Sequence, residues 1–303
     1  MALWQQTSLE SLDAPSTGRV QKVAVVTDSS ACLPLELAAQ HGIEVVPFTM
    51  AFGDQVYRDG IDEPGDFYRQ LRLADKLPKT AAPSPAAFLD AFQRASIRGA
   101  EVLCIMLPAN LSSAQNACTQ AIAMAEKEMR GVRIKGMAGG AVAAGQGLVV
   151  LEAARAAARG AGLEEAAALA ESLAPQVHFF AFLDTLEFLA KGGHVPKAAA
   201  WLGNLVGLRP VLTAPYGEVK RIAQARSRRG ATDWLLRLVE QHNPTLAPIQ
   251  AMVMHANSLE EAESLSDRLR RRFPCQELYI TQFTPVMGAH SGPGALGIAF
   301  RIL

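Results

Sequence analysis

Short apolar runs alternate with helical patterns through the first half of the chain. Four of these runs have the length and composition of buried strands: residues 22–27, 43–52, 101–107 and 132–137. Helices are predicted between and after them, from about residue 33, over 66–77, from a Ser84 cap to 98, from Ser112 or Ser113 to about 130, up to Gly160, and over 163–174. This alternation predicts an α/β fold with a doubly wound, mainly parallel sheet.

The second half has the pattern of a mixed sheet with helices. Strand-like runs occupy residues 179–185, 209–214, 218–223, 249–255, 278–284 and 298–303. The second and third of these runs flank Pro215-Tyr216-Gly217, which is typical of a hairpin. Helices are predicted over 232–241 and after Ser258, where Glu261 completes the spacing of a capping box.

The change of pattern predicts two α/β domains. We place the boundary near residue 175, so that residues 21–175 form the N-terminal domain and residues 176–303 the C-terminal domain. Residues 1–20 lack the apolar core of a signal peptide and are interpreted as a loose tail. No stretch has the length and the apolar composition of a membrane span.

The stretch GAHSGPGALGIAF contains glycines at 292, 294 and 297, the G-x-G-x-x-G spacing of a dinucleotide-binding loop. Such a loop opens a helix, whose N-terminal N–H groups hold the pyrophosphate. Only six residues follow Gly297, and they have the character of a strand, while Pro293 stiffens the loop. We therefore interpret the segment as a turn into the last strand, with His290 at its mouth.

Composition narrows the classes of partner. The chain has 29 basic and 29 acidic residues, so no nucleic-acid or polyanion partner is expected. Half of the residues are hydrophobic but only 6% are aromatic, which predicts an aliphatic interior. The four cysteines are scattered without a C-x-x-C pair, which is typical of reduced thiols in the cytoplasm rather than of a zinc site or a disulfide framework.

Hydroxyl side chains stand at two turns that precede predicted helices. Ser112 and Ser113 follow the third strand, where a hydroxyl and the free N–H groups of a helix start can hold a carboxylate or a phosphate. The alternative is that one of them is a plain N-cap. Thr80 lies in an otherwise apolar turn before Ser84, and its alternative role is hydrogen bonding within the loop. Loops that follow strands of an open α/β sheet are where ligands usually bind.

Two of the six histidines stand on glycine-marked turns. His194 follows a Gly-Gly pair, whose backbone can approach a ligand closely, and His290 precedes Ser291. Together they can donate hydrogen bonds to a carboxylate or act as general acid and base, whereas one histidine on such a turn is more often structural. The other four show no metal-ligand spacing, so no metal site is predicted. The sequence patterns of a serine-hydrolase elbow and of an ATP-binding P-loop are also missing.

These turns together resemble the motifs of the DegV family, and the similarity runs across nearly the whole chain. Six motifs occur in the family's order: Thr27-Asp28-Ser29 for its T-D-S, Tyr57-Arg58-Asp59-Gly60 for Y-x-D-G, residues 80–84 for T-S-Q-P-S, residues 111–117 for L-S-G-T-Y-x-x-A, residues 186–194 for L-x-x-L-x-x-G-G-R, and residues 290–294 for H-x-G-P-G. The last of these matches fully. Each motif alone is modest, but six in the right order are specific.

The resemblance implies a protein that holds one long-chain fatty acid, with the acyl chain in a buried apolar channel and the carboxylate between two domains. At the matching positions Thr80 and Ser112 would donate hydroxyl hydrogen bonds to the carboxylate, and His290 would cover it, with His194 nearby. The supporting turns would be those of Asp28, Ser29, Ser113, Gly193, Ser291 and Gly292. Members of the family present the carboxylate to a fatty acid kinase, and the binding protein supplies no catalytic residue. No cofactor and no metal are implied.

The chain departs from the family pattern at three places. His194 replaces the arginine after Gly-Gly, which exchanges a permanent charge for one that depends on pH. Ala81 and Ala82 replace Ser-Gln, and Ala138-Gly139 replaces an Asp-Ser turn. These changes predict altered ligand choice, a weaker hold on the carboxylate or loss of kinase coupling. They also predict acyl binding that depends more on pH, between about 5 and 8, than in relatives with arginine.

The residues allow two other functions besides a carrier. The first is an enzyme in which His194 and His290 act as acid and base on a small substrate bound between two domains. The second is a structural relative that has lost its ligand. A carrier needs a long, narrow channel with aliphatic walls, whereas an enzyme needs a wetter, rounder pocket. In a relative without ligand, a bulky side chain is expected to plug the channel.

Overall fold

The computed structural model describes residues 22–62, 67–74, 76–193, 195–202 and 207–303, so the predicted tail lies outside the described residues. In chain order the strands are β1 (Val23–Asp28), β2 (Glu44–Val46), β3 (Thr49–Phe52), β4 (Gln55–Arg58), β5 (Lys79–Ala81), β6 (Glu101–Met106), β7 (Arg133–Ala138), β8 (His178–Phe182), β9 (Arg209–Thr213), β10 (Lys220–Ala225), β11 (Ile249–His255), β12 (Cys275–Gln282) and β13 (Leu296–Ile302). The helices are α1 (Leu35–Gln40), α2 (Phe67–Leu73), α3 (Pro85–Ser96), α4 (Ala114–Glu128), α5 (Ala144–Ala158), α6 (Leu163–Leu173), α7 (Glu187–Lys191), α8 (Pro196–Leu202), α9 (Arg228–His242), α10 (Leu259–Arg272) and α11 (Pro285–Ser291).

The first sheet is parallel throughout and follows the order β2-β1-β6-β7. All six residues of β1 are buried, because strands pair with both of its edges and helices cover both of its faces. Ala24 and Val26 pack in the core shared with α3 and α4, whereas Val23 and Val25 pack against α5 and α6. The prediction of a doubly wound parallel sheet is confirmed.

The apolar run 43–52 forms two strands in different sheets rather than one strand. β2 joins the parallel sheet, and β3 joins a small antiparallel sheet of order β4-β3-β5 that the sequence pattern does not reveal. Pro47, which has no N–H to give to a ladder, stands at the break. The next N–H, that of Phe48, donates to Ser29 Oγ at 3.0 Å. The helix expected over 66–77 is also shorter, since α2 ends at Leu73.

The second half forms a mixed sheet in the order β10-β9-β8-β13-β11-β12. β11 and β12 pair in parallel, and the other neighbours pair antiparallel. The predicted hairpin is present between β9 and β10, with φ of +51° at Tyr216 and +78° at Gly217. The glycines of residues 292–297 lead into β13, so this segment opens a strand and not the helix of a dinucleotide site.

Helix α5 lies between the two large sheets. All of its 15 residues except Arg155 and Ala158 are buried, as expected for a helix that is largely apolar on every side. It packs on β1 of the parallel sheet and on β8, β11 and β13 of the mixed sheet. Arg155 contacts Glu152 of the same helix and Glu277 of β12, each at 2.8 Å. The two sheets therefore share one core helix and a charged cluster at its end.

The capping box predicted at the start of α10 does not form. Ser258 occupies the N-cap position, but its side chain makes no capping hydrogen bond. Glu261 is turned away from the helix start because the guanidinium of Arg228 donates to both of its carboxylate oxygens. The Ser258 N–H instead donates to Nδ1 of His255 at 3.3 Å, so an imidazole replaces the expected carboxylate as acceptor.

We expect stability to fall as the pH is lowered from about 6.5 towards 4. Burial lowers the pKa of His255 to about 4. The unfolded chain, with a histidine pKa of about 6.5, takes up the proton first, so the stabilisation is complete above that pH and is lost below it. Denaturant unfolding at several pH values measures the slope. His255→Asn keeps an acceptor for the Ser258 N–H and should give a shallower slope, and an unchanged slope would contradict the prediction.

The mixed sheet begins at β8, close to the boundary predicted near residue 175. The division into two domains at that residue stays a prediction. Of the helices in the described ranges, none has both the length and the apolar composition needed to cross a bilayer.

Candidate functional site

A cavity of about 390 Å³ lies where the three sheets meet. Its wall is formed by the loops at the carboxyl end of the parallel sheet, by β5 and the turn after it, by β8 and β9, and by α7 and α11. Most of the wall is apolar, with side chains such as Leu111, Val142, Phe179, Leu189 and Leu212. An open cavity of this kind argues against a plugged channel and is typical of a site for a mainly apolar ligand.

The polar side chains of the wall are hydroxyls and one imidazole. The hydroxyl residues are Ser30, Thr80, Ser112, Ser113, Thr213 and Ser291, and the imidazole is that of His290. The part of the wall that the structure describes holds no lysine, arginine or carboxylate side chain. An anionic group bound here would therefore be met by hydrogen-bond donors rather than by a permanent positive charge.

Thr80 and His290 contact each other in this wall. Thr80 lies in β5, in register with Met50 of β3, and His290 lies in α11. A hydrogen bond of 3.1 Å joins Thr80 Oγ1 to His290 Nε2 across 210 residues of sequence. When the imidazole donates, the proton of the Thr80 hydroxyl is directed to another acceptor.

Ser112 precedes α4 and faces the same cavity. Its Oγ accepts a hydrogen bond from the N–H of Ala114 at 3.1 Å, so the hydroxyl proton is directed to another acceptor. Ser113 occupies the N-cap position of α4 and makes no side-chain cap hydrogen bond. A plain N-cap through the Ser113 side chain, which the sequence left open, is therefore not what the structure contains.

His290 lies in the last turn of α11 and not in an open turn, which corrects the interpretation from the sequence. The helix begins at Pro285, whose fixed φ suits the first helical position. The N–H of Val286 donates to Oδ1 of Asp59 at 2.9 Å. Asp59 is buried, and burial raises its pKa to about 6. A carboxyl group from the Y-x-D-G turn after β4 thus fixes the start of the helix that carries the histidine.

Tyr68 of α2 holds the same helix in place. Its Oη donates to the carbonyl oxygen of Phe283 at 2.7 Å. A Cβ at Gly288 would lie 2.5 Å from that Oη, so glycine is needed for the phenol to pack directly on the backbone of α11. No role was predicted for Tyr68, and Asp59 was named only as part of a motif. No local pattern could have paired Tyr68 with Phe283, because 215 residues separate them.

Asp28 fixes the turn that follows β1. It accepts hydrogen bonds from the N–H of Leu107 at 2.9 Å, from the N–H of Ser30 at 3.1 Å and from the hydroxyl of Ser30. Burial raises the pKa of Asp28, and these hydrogen bonds act against that rise. Because Leu107 follows β6, the carboxyl group joins the ends of two neighbouring strands and sets Ser30 in the cavity wall. Ser29 acts beside it by accepting the Phe48 N–H.

Glycines let two backbones approach side chains of the site. A Cβ at Gly192 would lie 2.4 Å from His290 Nδ1, and a Cβ at Gly292 would lie 2.4 Å from the ring of Phe188. Gly292 also has a φ of +76°, which favours glycine. Gly193, the glycine predicted as support, has a φ of +75° but open space where a Cβ would stand. The close approach to the histidine is made at Gly192, which the sequence analysis did not single out.

Several predicted site residues meet at one cavity. Five of them line it: Thr80, Ser112, Ser113, His290 and Ser291. Asp28 and Ser29 fix the turn that carries Ser30, and Gly292, directly after the helix that carries the histidine, packs against the ring of Phe188. His194 lies outside the described residues.

A second hollow, of about 330 Å³, lies on the surface beside α4, β7 and α6. Three of its charged side chains are paired with one another, since Glu164 contacts Lys135 at 2.7 Å and Arg133 at 3.3 Å. We therefore take the larger, apolar cavity as the candidate site. Across the described ranges, no three His, Cys, Asp or Glu side chains gather in the manner of a metal site.

Comparisons with known proteins agree with the fold and with the motifs around the cavity. A family model described as "Uncharacterised protein, DegV family" matches residues 22–302. A DegV domain-containing protein of Streptomyces coelicolor is 31% identical over 278 residues, which cover 91% of this chain and 97% of the relative.

Solved structures give the same result. A DegV family protein from Thermus thermophilus, described by its fatty acid binding, has a TM-score of 0.85 at 27% identity, over 93% of this chain and 100% of the other. DegV from Bacillus subtilis, described as a fatty acid binding protein, has a TM-score of 0.83 at 27% identity, over 93% and 99% of the two chains. Since the family match extends from the first described strand to the last, this chain belongs to the DegV family.

Proposed function

We propose that the protein binds a long-chain fatty acid, with the acyl chain in the apolar cavity and the carboxylate at its polar side. The observation that carries this proposal is the hydrogen bond between Thr80 and His290 in the wall of an otherwise mainly apolar cavity. Two relatives of 27% identity, from Thermus thermophilus and Bacillus subtilis, are described as binding fatty acids. Site chemistry and kinship therefore support the same ligand class.

The acyl chain supplies most of the affinity in this proposal. Each CH₂ group that leaves water contributes about 0.8 kcal/mol, so a chain of about sixteen carbons gains on the order of 10 kcal/mol before ordering costs. The wall residues from both large sheets are mainly Leu, Val, Ala and Phe, whose side chains need no hydrogen-bond partner from a bound hydrocarbon chain. Such a wall does not favour a small polar substrate, so the two-histidine enzyme has no supporting observation.

The carboxylate needs hydrogen-bond donors, because a buried charge without them is expensive. Ser112 supplies one hydroxyl, whose oxygen already accepts the Ala114 N–H and whose proton is directed to the ligand. Thr80 supplies a second, oriented by its hydrogen bond with His290. A role of His194 at the same group stays a prediction from the sequence, because His194 lies outside the described residues.

Ser112→Ala is expected to weaken fatty-acid binding by about 1–3 kcal/mol, because a carboxylate beside an apolar wall loses a hydrogen bond. The change in affinity is measured by titrating the protein with a fatty acid and monitoring how much of a bound fluorescent analogue it displaces. Ser96→Ala is the matched control, since the Ser96 hydroxyl donates to the Gln93 carbonyl on the exposed part of α3. Equal affinity in Ser112→Ala and wild type would remove Ser112 from the site.

The first test of the proposed function is organic extraction of the purified protein and mass spectrometry of the extract. The expected result is close to one long-chain fatty acid per chain, whose identity shows which chains the cavity accepts. Protein that is empty and also takes up no added fatty acid would contradict the proposal.

We further propose that the protein is a cytoplasmic carrier which presents the carboxylate to a fatty acid kinase and has no catalytic group of its own. The family resemblance supports this role, as does a polar wall of hydroxyls and one histidine, which can hold a carboxylate. Loaded protein, ATP and a fatty acid kinase should together give acyl-phosphate. Formation of acyl-phosphate from loaded protein and ATP without the kinase would contradict the carrier role.

A further inference from the structure

Asp59 is a buried carboxyl group with one well-formed hydrogen bond. The residue is 2% exposed, and its Oδ1 accepts the Val286 N–H at 2.9 Å. Its Oδ2 is buried too and has no hydrogen-bond partner among the described residues. The hydroxyls of Ser29 and Thr284 lie close enough to favour the charged form, but neither makes a hydrogen bond of normal geometry to Oδ2. A buried carboxylate with so few partners is costly.

The helix that begins at this carboxyl group forms part of the cavity wall. Val286, Met287 and His290 of α11 line the cavity. The helix has seven residues and packs on three other short elements, α2, α7 and β3. Short elements with few neighbours open at a lower free energy than the core of a protein. The charge state of Asp59 therefore acts on a part of the wall that can move.

Four of the titratable side chains around Asp59 keep one charge state between pH 5 and 8. Cys32, in the turn after β1, and Tyr68 of α2 both face it. Burial raises the pKa of the Cys32 thiol to about 12 and also raises the pKa of Tyr68, so both side chains stay neutral. Arg58 and Asp62, on the same turn as Asp59, stay charged and pair with each other at 3.1 Å.

Asp28 is a second buried carboxyl group nearby, and its charge disfavours a carboxylate at Asp59. It accepts hydrogen bonds from the N–H groups of Leu107 and Ser30 and from the Ser30 hydroxyl, so its own charge has partners that Asp59 lacks. Burial raises the pKa of Asp59 to about 6, and the hydrogen bond from Val286 offsets only part of that rise. Asp59 therefore gains or loses its proton near pH 6.

We propose that the proton on Asp59 controls the opening of α11: the neutral carboxyl group keeps the helix closed on the cavity, and the carboxylate lets it open for ligand exchange. The part that concerns ligand exchange rests on the proposed function. The neutral group still accepts the Val286 N–H and buries no charge, so the closed helix costs least in this form. The carboxylate gains from opening, because water then reaches both of its oxygens.

Linkage gives the direction of the pH effect. An aspartate in water has a pKa of about 3.9, below the value of about 6 in the closed protein. The closed helix therefore binds the proton more tightly than the open helix does. Opening becomes easier as the pH rises from about 4 to 6 and changes little above that range. Between pH 5 and pH 7.5 the opening constant should rise about tenfold. The helix is thus set to open at neutral pH and to stay closed in mild acid.

Amide hydrogen exchange of the ligand-free, full-length protein at pH 5 and pH 7.5 tests the proposal, with each rate corrected for the intrinsic effect of pH. In the wild type, the protection of the α11 amides should fall about tenfold from pH 5 to pH 7.5. Asp59→Asn keeps an acceptor oxygen for Val286 without a charge, so α11 should be equally protected at both pH values and better protected than in the wild type at pH 7.5. Asp54→Asn is the matched control, because it removes an exposed carboxylate from the turn between β3 and β4, and it should behave as the wild type does.

Ligand release is measured in the same proteins, with a fluorescent C16 fatty acid as the probe and albumin as the acceptor. The wild type should release the probe faster than Asp59→Asn, and the ratio of the two rates should rise about tenfold from pH 5 to pH 7.5. His194 and His290 are present in both proteins, so their titration does not produce this difference. A ratio that is the same at both pH values would overturn the control of ligand exchange.

Three results of the exchange experiment would overturn the control of α11 by Asp59. The first is equal protection of α11 at both pH values in the wild type. The second is weaker protection in Asp59→Asn than in the wild type at pH 7.5, because the charge would then hold the helix closed. The third is a pH dependence in Asp59→Asn equal to that of the wild type, because another group would then be responsible. Hydrogen exchange needs no ligand, so a wild type that shows the expected pattern but binds no fatty acid would overturn the proposed function and leave the control of α11 intact.

Discussion

Arg155→Met is expected to lower the free energy of unfolding by about 3–5 kcal/mol, the cost of leaving buried carboxylates without their partner. The side chain of Arg155 is 16% exposed and contacts Glu152 and Glu277, each at 2.8 Å. Methionine keeps much of the volume but none of the charge. Glu152 retains a contact with Arg301 at 3.1 Å, so the larger loss falls on Glu277.

The pH dependence of this loss gives a second check. Burial alone would raise the pKa of Glu277, but hydrogen bonds from Arg155 and Gln250 hold it below its usual value. In the wild type this stabilisation is present above the pKa of an unfolded glutamate, about 4.3, and is lost as the pH falls through the folded value. The deficit of Arg155→Met should therefore be largest near neutral pH and smaller in acid. Urea unfolding of the wild type and of Arg155→Met, at neutral pH and at a pH below about 4.3, measures this deficit.

Arg58→Met is the control for this experiment. Arg58 pairs with Asp62 at 3.1 Å, but its side chain is 61% exposed, and exposed pairs contribute about 1 kcal/mol or less. If Arg155→Met cost no more than Arg58→Met, the buried cluster would not stabilise the contact between α5 and the mixed sheet.

Gly288→Ala is expected to lower stability by about 1–3 kcal/mol and to weaken fatty-acid binding, because it overpacks the contact between α11 and Tyr68. The new Cβ would stand 2.5–2.9 Å from three atoms of the phenol. Tyr68 cannot easily yield, since its Oη is bonded to the Phe283 carbonyl. The helix must shift instead, and the shift displaces His290 from Thr80. Denaturant unfolding and fatty-acid titration measure the two effects.

A second substitution tests whether the clash is the cause. Tyr68→Leu removes the ring, so the double variant with Gly288→Ala should be more stable than the sum of the two single changes predicts. Residues in direct contact give such coupling in double-mutant cycles. Strictly additive losses would show that Gly288 and Tyr68 act independently and that the helix is held elsewhere.

The parts of the fold that could be predicted are those whose signal is local. The parallel sheet and the hairpin at Tyr216 follow from apolar runs and turn residues that stand together in the sequence. The small sheet could not be predicted, because β3, β4 and β5 are three or four residues long and mostly exposed or half-buried. Helix α11 was missed because it has only seven residues and because its first N–H group, that of Val286, is bound by Asp59, 227 residues away. The prediction of a capping box was wrong because Glu261 accepts hydrogen bonds from Arg228 instead of from the backbone at the start of the helix.

The candidate site shows the same division. Ordered motifs placed Thr80, Ser112 and His290 together, and the structure brings all three to one cavity, although their role at a carboxylate stays a proposal. The groups that position the histidine were not predicted, because Asp59 and Tyr68 reach α11 only through the tertiary fold. Spacing along a chain can reveal a turn, but it does not reveal which distant backbone that turn supports.

The position of α5 limits how a ligand can enter and leave. A hinge that parted the two large sheets would strip apolar packing from both sides of a buried helix and separate Arg155 from Glu277. Exchange is therefore expected to leave this frame closed and to use a smaller gate. The gate that the fold offers is the pair α7 and α11, two short helices of five and seven residues in the cavity wall. The rates of ligand uptake and release would then be set by local opening of these two helices, and not by a slower motion of one large sheet relative to the other.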